Sequence, residues 1–94
     1  MRERRRVTIR GAVQGVFFRE TVRRVALRHD VHGFVRNVGP GALEIEAEGE
    51  PHVVEAFIAD VVAHPPTGAR IVDVESTPMQ AQGDVGFLVA PSVR

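Results

Sequence analysis

The sequence predicts an α+β domain in which two helices cover one face of a four- to five-stranded antiparallel sheet. Five short segments alternate between apolar and polar residues, as half-buried strands do, and two longer segments repeat apolar residues at helical spacing. Their order along the chain is β-α-β-β-α-β, with a short tail strand at an edge. No repeat or linker interrupts the 94 residues, so a single domain over 1–94 is predicted.

The composition is ordinary for a globular domain and excludes several kinds of site. Apolar residues make up 44% of the chain, and twelve basic residues balance twelve acidic ones. This zero net charge argues against nucleic-acid binding, which depends on neutralising phosphates. There is no cysteine, so thiol nucleophiles and thiolate metal sites are excluded. No apolar run approaches the roughly 20 residues of a membrane span, and we expect a cytoplasmic protein.

The first strand and the first helix are predicted over residues 5–13 and 20–30. The strand alternates, and its core-facing positions are Val7, Ile9, Gly11 and Val13. The helix carries an apolar stripe at helical spacing, formed by Val22, Val25, Ala26 and His29.

A β-hairpin is predicted next, with strands over residues 32–37 and 42–49. The turn between them reads Val-Gly-Pro-Gly, where Pro40 fixes φ and Gly41 can take a positive φ. In the second of these strands three glutamates alternate with apolar residues. We expect these glutamates to face the arginines of the first strand on the second face of the sheet, in contact with water.

The last elements are a helix over 51–63, a strand over 69–76 and a short strand over 85–90. Pro51 suits the first turn of the helix, and the sequence His-Pro-Pro-Thr-Gly ends it. Two βαβ-like halves of this kind build the ferredoxin-like sandwich, which places both helices on one sheet face.

The connection between the first strand and the first helix has an unusual composition. It reads Gly-Ala-Val-Gln-Gly-Val-Phe-Phe-Arg over residues 11–19, with almost no polar groups before Arg19. Glycine lets the backbone N–H groups before a helix converge, and converging N–H groups bind anions. The guanidinium of Arg19 is suited to hold two phosphate oxygens. The spacing alone, however, favours an ordinary turn with an exposed arginine, because the glycine pattern of nucleotide-binding loops is absent.

Residues 11–19, followed by Gly-Phe-Val-Arg-Asn and an acidic strand, resemble the acylphosphatase family closely. The later segment 55–75 is also similar to that family's second helix, turn and fourth strand, so the resemblance spans nearly the whole chain. It implies the ferredoxin-like fold and the metal-independent hydrolysis of acyl phosphates, with no cofactor. It also implies that the guanidinium of Arg19 holds the phosphoryl group and that Asn37 holds the attacking water.

The resemblance further implies a phosphate-binding loop made by backbone N–H groups, and its residues are Gln14, Gly15, Val16, Phe17 and Phe18. The expected partner is a small acyl phosphate, and inorganic phosphate is expected as the product and as a competitive inhibitor. We expect neither nucleic acid nor membrane as a partner, and a monomer.

The reaction explains why the sequence offers no strong acid or nucleophile. A carboxylate leaving group has a conjugate acid with a pKa of about 4, so it departs without a proton. Binding the phosphoryl oxygens and placing water in line are then sufficient. Phosphate monoesters, whose alkoxide leaving groups need a proton or a metal, are expected to be poor substrates.

Several alternatives remain open at this stage. Gln14 could brace the loop instead of contacting substrate, and at least one of Phe17 and Phe18 is expected in the core. His29 and His32 could share a metal, although no third ligand is evident. A non-catalytic ligand-binding module, or an accessory module that handles carbamoyl phosphate, is the alternative function.

Overall fold

Two helices pack on one face of a five-stranded sheet, which confirms the predicted ferredoxin-like α+β fold. A computed structural model describes all residues 1–94. The strands are β1 (Glu3–Ala12), β2 (His32–Val38), β3 (Ala42–Gly49), β4 (Arg70–Met79) and β5 (Phe87–Val89). The helices are α1 (Phe18–Leu27) and α2 (Pro51–Ala63). Neither helix is long and apolar enough to cross a bilayer.

The strands lie in the order β4-β1-β3-β2-β5, and the first four of them pair antiparallel. The expectation of a fully antiparallel sheet is wrong for β5, which pairs parallel to β2. Met79, at the end of β4, lies beside Arg4, and Phe87, at the start of β5, lies beside Gly33. Both positions are at the same end of the sheet. A strand that starts there runs in the direction of β2, so the sheet is mixed.

Helix α1 begins two residues earlier and ends three residues earlier than the sequence pattern predicts. The carbonyl of Phe17 accepts the backbone N–H and the side-chain hydroxyl of Thr21, both at 3.0 Å, and this closes the first turn. At the other end, the N–H groups of Arg28 and His29 donate to carbonyls only three residues back. Such tightened bonds are typical of a helix terminus.

The core lies between the sheet and the two helices. It contains fifteen buried apolar residues, and the largest of them are Phe18 from α1 and Phe57 from α2. Phe57 meets the ring of Phe87 edge-on at a centroid distance of 5.7 Å. His29 is partly buried at the helix pair, and its Nε2 lies 3.1 Å from a carboxylate oxygen of Asp60.

The second face of the sheet is not uniformly in contact with water, which corrects the sequence-based expectation. The predicted cross-strand pairs form, as between Arg6 and Glu46 at 3.2 Å. At the end of the sheet where β5 begins, however, Arg4 is 1% exposed and Glu48 is fully buried. The segment 80–86, which connects β4 to β5, covers them. Its Asp84 carboxylate lies 3.1 Å from the Arg4 guanidinium.

Glu48 is the acceptor that ties this connection to the sheet. One of its oxygens accepts the N–H of Gln82 at 2.6 Å, and the other accepts the N–H of Gly83 at 2.8 Å. Its carboxylate also pairs with Arg4 at 3.2 Å and with Arg2 at 3.0 Å. Burial by itself raises the pKa of Glu48, but these hydrogen bonds and charges outweigh burial, so the pKa lies below its ordinary value of 4.5.

Acidification is expected to destabilise the fold through Glu48. Because the folded-state pKa is lower than the unfolded one, this stabilisation is complete above about pH 4.5 and is lost as the pH falls through the folded value. Replacing Glu48→Gln should lower the free energy of unfolding near neutral pH by about 3 kcal/mol, because the buried Arg4 and the exposed Arg2 both lose a charge partner. Urea unfolding followed by circular dichroism between about pH 7 and pH 2.5 measures both effects.

The substitution should also flatten the acid-side fall in stability. Glu55→Gln is the matched control, since Glu55 is exposed on α2 and forms no ion pair. It should change the free energy of unfolding by less than about 0.5 kcal/mol. A constant difference between the Glu48→Gln variant and the parent protein across the whole pH range would contradict the assignment.

Candidate active site

The loop from β1 to α1 has an unusual backbone. Gly15 has a φ of 73° and Phe17 a φ of 58°. Glycine adopts such angles freely, but in an L-residue with a bulky side chain they cost about 1–2 kcal/mol. Phe17 is the only residue other than glycine in this region of φ. Strain of this kind persists only where the surrounding structure imposes it, and it concentrates at functional sites.

The same loop exposes a run of free hydrogen-bond donors. The backbone N–H groups of residues 14–17 donate to no acceptor in the protein. The first N–H groups of α1, which follow directly, have no intrahelical acceptor because they open the helix. The positive end of the helix dipole lies at the same place. The loop can therefore bind an anion through its main chain.

Gln14 anchors the loop to the β2–β3 turn. Its side-chain amide nitrogen donates to the carbonyls of Gly39 at 2.8 Å and of Ala42 at 3.0 Å. Close by, the N–H of Gly11 donates to the carbonyl of Gly41 at 3.2 Å. The side chain of Gln14 thus braces the loop, the alternative that the sequence left open. In the turn, the positive φ falls on Gly39 and not on Gly41 as expected.

Arg19 lies half-buried in the first turn of α1, and its side chain has no carboxylate partner and no hydrogen bond within the protein. It lines a hollow of about 250 Å³ together with Phe17, Glu20 and Val89. Glu20 binds two other arginines instead, Arg23 at 2.7 Å and Arg24 at 3.1 Å. The hydrogen bond from Arg23 is the main cause that lowers the pKa of Glu20 to about 2. The guanidinium of Arg19 is left available to a ligand.

Asn37 lies near the end of β2, on the helix-facing side, two residues after the buried Val35. Its side-chain oxygen Oδ1 is buried and has no hydrogen-bond partner. Asn37 lines a second hollow, of about 330 Å³, together with Gln14. The other lining residues belong to the β2–β3 turn and the chain end: Gly39, Pro40, Ser92, Val93 and Arg94. A buried acceptor without a donor is rare in native proteins and indicates a missing partner.

The structure places the predicted residues in and around the β1–α1 loop but divides them between two hollows. Phe17 and Arg19 line one hollow, and Gln14 and Asn37 line the other. Phe18 lies in the core, which confirms that one of the two phenylalanines packs inside, whereas Phe17 is 85% exposed. The remaining predicted residues of the loop are Gly15, which is exposed, and Val16, which packs partly on the core.

Sequence reasoning missed the residues that the chain end contributes. Val93 donates its N–H to the carbonyl of Asn37 and accepts the N–H of Gly39, both at 2.8 Å. This pairing brings Arg94 to the hollow of Asn37, while Val89 on β5 reaches that of Arg19. No local motif marks these residues, because only the pairing of β5 with β2 brings them near the loop.

Two other features lie apart from the loop. The largest hollow, about 480 Å³, lies between α2 and strands β1 and β4, and it contains none of the predicted residues. His29 and His32, considered as a metal pair, engage different partners: His29 lies 3.1 Å from Asp60, and Nδ1 of His32 accepts the N–H of Gly86 at 2.9 Å.

The sequence matches the acylphosphatase family over residues 5–89. The chain belongs to the acylphosphatase family. It is 42% identical over 88 residues to the acylphosphatase of Thermococcus kodakarensis, an alignment that covers 94% of this chain and 96% of that protein. It is also 42% identical over 83 residues to the acylphosphatase of an Anaeromyxobacter species, covering 88% of each.

Solved structures agree with this assignment. An acylphosphatase from Coxiella burnetii is 30% identical, with a TM-score of 0.87 and a coverage of 95% of this chain and 93% of that chain. Full-length HypF, crystallised in a phosphate- and nucleotide-bound form, matches 99% of this chain with a TM-score of 0.94 and 32% identity. This chain covers only 12% of HypF.

The protein is therefore an acylphosphatase, a hydrolase that cleaves the carboxyl–phosphate anhydride of acyl phosphates to a carboxylate and inorganic phosphate. The full-length match to free-standing acylphosphatases favours this activity over the alternative of a non-catalytic or carbamoyl-phosphate-handling module.

Replacing Gln14→Met tests the brace that this acylphosphatase places between its loop and its turn. Methionine keeps the length of the side chain but removes both hydrogen bonds and leaves the carbonyls of Gly39 and Ala42 short of a donor. We expect the free energy of unfolding to fall by about 1–3 kcal/mol, measured by urea unfolding. Gln82→Met, at an exposed position whose side chain makes no hydrogen bond, is the matched control. Equal stability of the two variants would refute the brace.

Proposed function

We propose that the acylphosphatase reaction takes place at the β1–α1 loop. The backbone N–H groups of residues 14–18 and the guanidinium of Arg19 hold the phosphoryl group, and Asn37 orients the attacking water. The small acyl phosphate is bound without a metal or cofactor. The observation that carries the proposal concerns Asn37: this residue lines a hollow beside the loop, and its buried side-chain oxygen Oδ1 has no hydrogen-bond partner.

An unsatisfied buried carbonyl oxygen costs about 1–3 kcal/mol, a cost that a bound water removes by donating a hydrogen bond. The amide of Asn37 is neutral and cannot take a proton at working pH, so its part is to orient the water. Phosphoryl transfer passes through a loose transition state in most analyses, in which the nucleophile needs little deprotonation. It is therefore sufficient for Asn37 to orient the attacking water.

The negative charge of the substrate explains the proposed role of the loop N–H groups and of Arg19. A phosphoryl group presents three oxygens that share negative charge, and the loop offers several N–H groups at a helix N-terminus. Arg19 adds a fixed positive charge that no carboxylate neutralises. Donors that are already in position stabilise the transition state without reorganisation, and they act more strongly when partly shielded from water.

The bond changes need no acid. As the water oxygen forms its bond to phosphorus, the bond from phosphorus to the acyl oxygen breaks, and the electron pair leaves with the carboxylate. With a conjugate-acid pKa of about 4, the carboxylate accepts this pair unprotonated. The protons of the water pass to the phosphate product and to solvent. The products are one carboxylate and inorganic phosphate.

A cytoplasmic location and a monomeric state stay predictions of the sequence. Gel filtration with light scattering measures the oligomeric state.

Removing either proposed side chain should abolish most of the activity. We expect Arg19→Ala and Asn37→Ala each to lower kcat/KM for benzoyl phosphate by about 10²–10³, measured with excess EDTA present. Arg19→Lys should recover only part of the rate, because an ammonium lacks the planar pair of donors. Arg28→Ala, at the opposite end of α1, is the matched control and should retain the parent rate. Full activity in the Arg19→Ala variant would refute the site.

Inorganic phosphate should compete with the substrate, since it presents the same oxygens to the loop. The apparent KM for benzoyl phosphate should rise linearly with phosphate concentration while kcat stays constant. Steady-state kinetics at several phosphate concentrations, with sulfate-free buffer and constant ionic strength, measure this. If saturating phosphate leaves the apparent KM unchanged, the loop is not the phosphoryl site.

A further inference from the structure

We propose that the exposed ring of Phe17, together with Val89, forms the binding surface for the acyl group of the substrate and selects acyl phosphates with aromatic or bulky apolar acyl groups. This inference rests on the proposed site, since it places the leaving group relative to the loop and to Asn37. It assigns a specificity role to two side chains that the reaction itself does not use.

In-line attack fixes the direction of the leaving group. The attacking and leaving oxygens lie on opposite sides of phosphorus in the transition state. If the water is held on the side of Asn37, the acyl oxygen points away from that hollow. The hollow of Asn37 and the hollow of Arg19 share no lining residue, and the loop contributes Gln14 to the first and Phe17 to the second. The acyl group therefore lies in the hollow of Arg19 when the loop binds the phosphoryl group.

The lining of the Arg19 hollow includes apolar side chains that an acyl group could contact. The hollow of Arg19 has four lining residues, and two of them, Phe17 and Val89, are hydrophobic. Glu20 lies in the same hollow, but its carboxylate binds Arg23 and Arg24. Phe17 and Val89 are then the apolar part of the surface left for an acyl group.

Phe17 has two properties that packing does not explain. Its ring is 85% exposed, although a phenyl group gains most from burial. Its backbone is also left-handed, at a φ of 58°, which is unfavourable for a residue with a bulky side chain. The ring therefore lies exposed in a strained loop, beside an arginine without a partner. Such a ring is suited to contact a ligand, because contact with an acyl group would bury the ring.

Val89 supplies the opposite wall, and its neighbour supplies a control. Val89 is 39% exposed on β5 and pairs with Val35 in the sheet. Leu88 is 56% exposed but lines a different hollow, with Phe34 and Val85. The two residues have similar size and lie on the same strand, so substitutions at these positions compare the proposed surface with an equivalent apolar surface elsewhere.

The test measures substrate preference, as the ratio of kcat/KM for benzoyl phosphate to kcat/KM for acetyl phosphate. Phe17→Asn removes the ring and suits the left-handed backbone, because asparagine tolerates positive φ. We expect it to lower the ratio about tenfold, mainly through a higher KM for benzoyl phosphate. Phe17→Tyr keeps the ring and should keep the ratio within about twofold. Val89→Ser should lower the ratio several-fold, and Leu88→Ser should not change it.

An unchanged ratio in the Phe17→Asn variant would overturn the inference, whether or not the rates for both substrates fall together. An equal effect of Val89→Ser and Leu88→Ser would overturn it as well. The Arg19→Ala variant distinguishes the two proposals: retained hydrolysis of acetyl phosphate in that variant refutes the phosphoryl site, whereas an unchanged ratio in the Phe17 variants refutes only the acyl surface. The urea midpoint of each variant shows that the loop change leaves the fold intact.

Discussion

Four consecutive backbone N–H groups without an acceptor, at residues 14–17, are the feature on which the rest of the proposed active site depends. Main-chain donors are normally satisfied in a folded protein, so a run of free ones must be held open by its surroundings. Here the positive φ angles of Gly15 and Phe17 turn the chain just before α1. The loop thereby adds its donors to those of the helix start, and the reaction proposed at this loop needs little else than such donors and a placed water.

The loop keeps this shape because it is attached on more than one side. Gln14 joins it to the β2–β3 turn through two hydrogen bonds, and Gly11 adds a third contact to the same turn. The chain end attaches to β2 next to Asn37 through Val93. Three segments that are distant in sequence therefore fix one another, and none of them contributes a strong acid or base. In the proposed mechanism, the placement of the reacting groups, and not a strong acid or base, accelerates the reaction.

The buried charges around Glu48 influence the active site from the far end of the sheet. They hold the segment 80–86 against β1 and β3, and this segment determines where β5 begins. Because β5 starts at that end, it runs parallel to β2 and carries Val89 toward the loop. The ionic cluster thus has a positional role beyond its contribution to stability. An apolar cluster could bury the same area, but it would leave the N–H groups of Gln82 and Gly83 without an acceptor.

The sequence by itself determined the order of the elements, the two helices and the four antiparallel strands, because alternation and helical spacing are local properties of the chain. Through two separate motifs that resemble the acylphosphatase family, it also identified Arg19 and Asn37 as candidate site residues. Only the tertiary structure decided that β5 is parallel, that Arg4 and Glu48 are buried, and that Val89 and Arg94 border the site. Each of these three findings depends on which distant segment covers a surface or pairs with a sheet edge. Contacts between distant segments produce no local periodicity in the sequence, so the sequence pattern could not predict them.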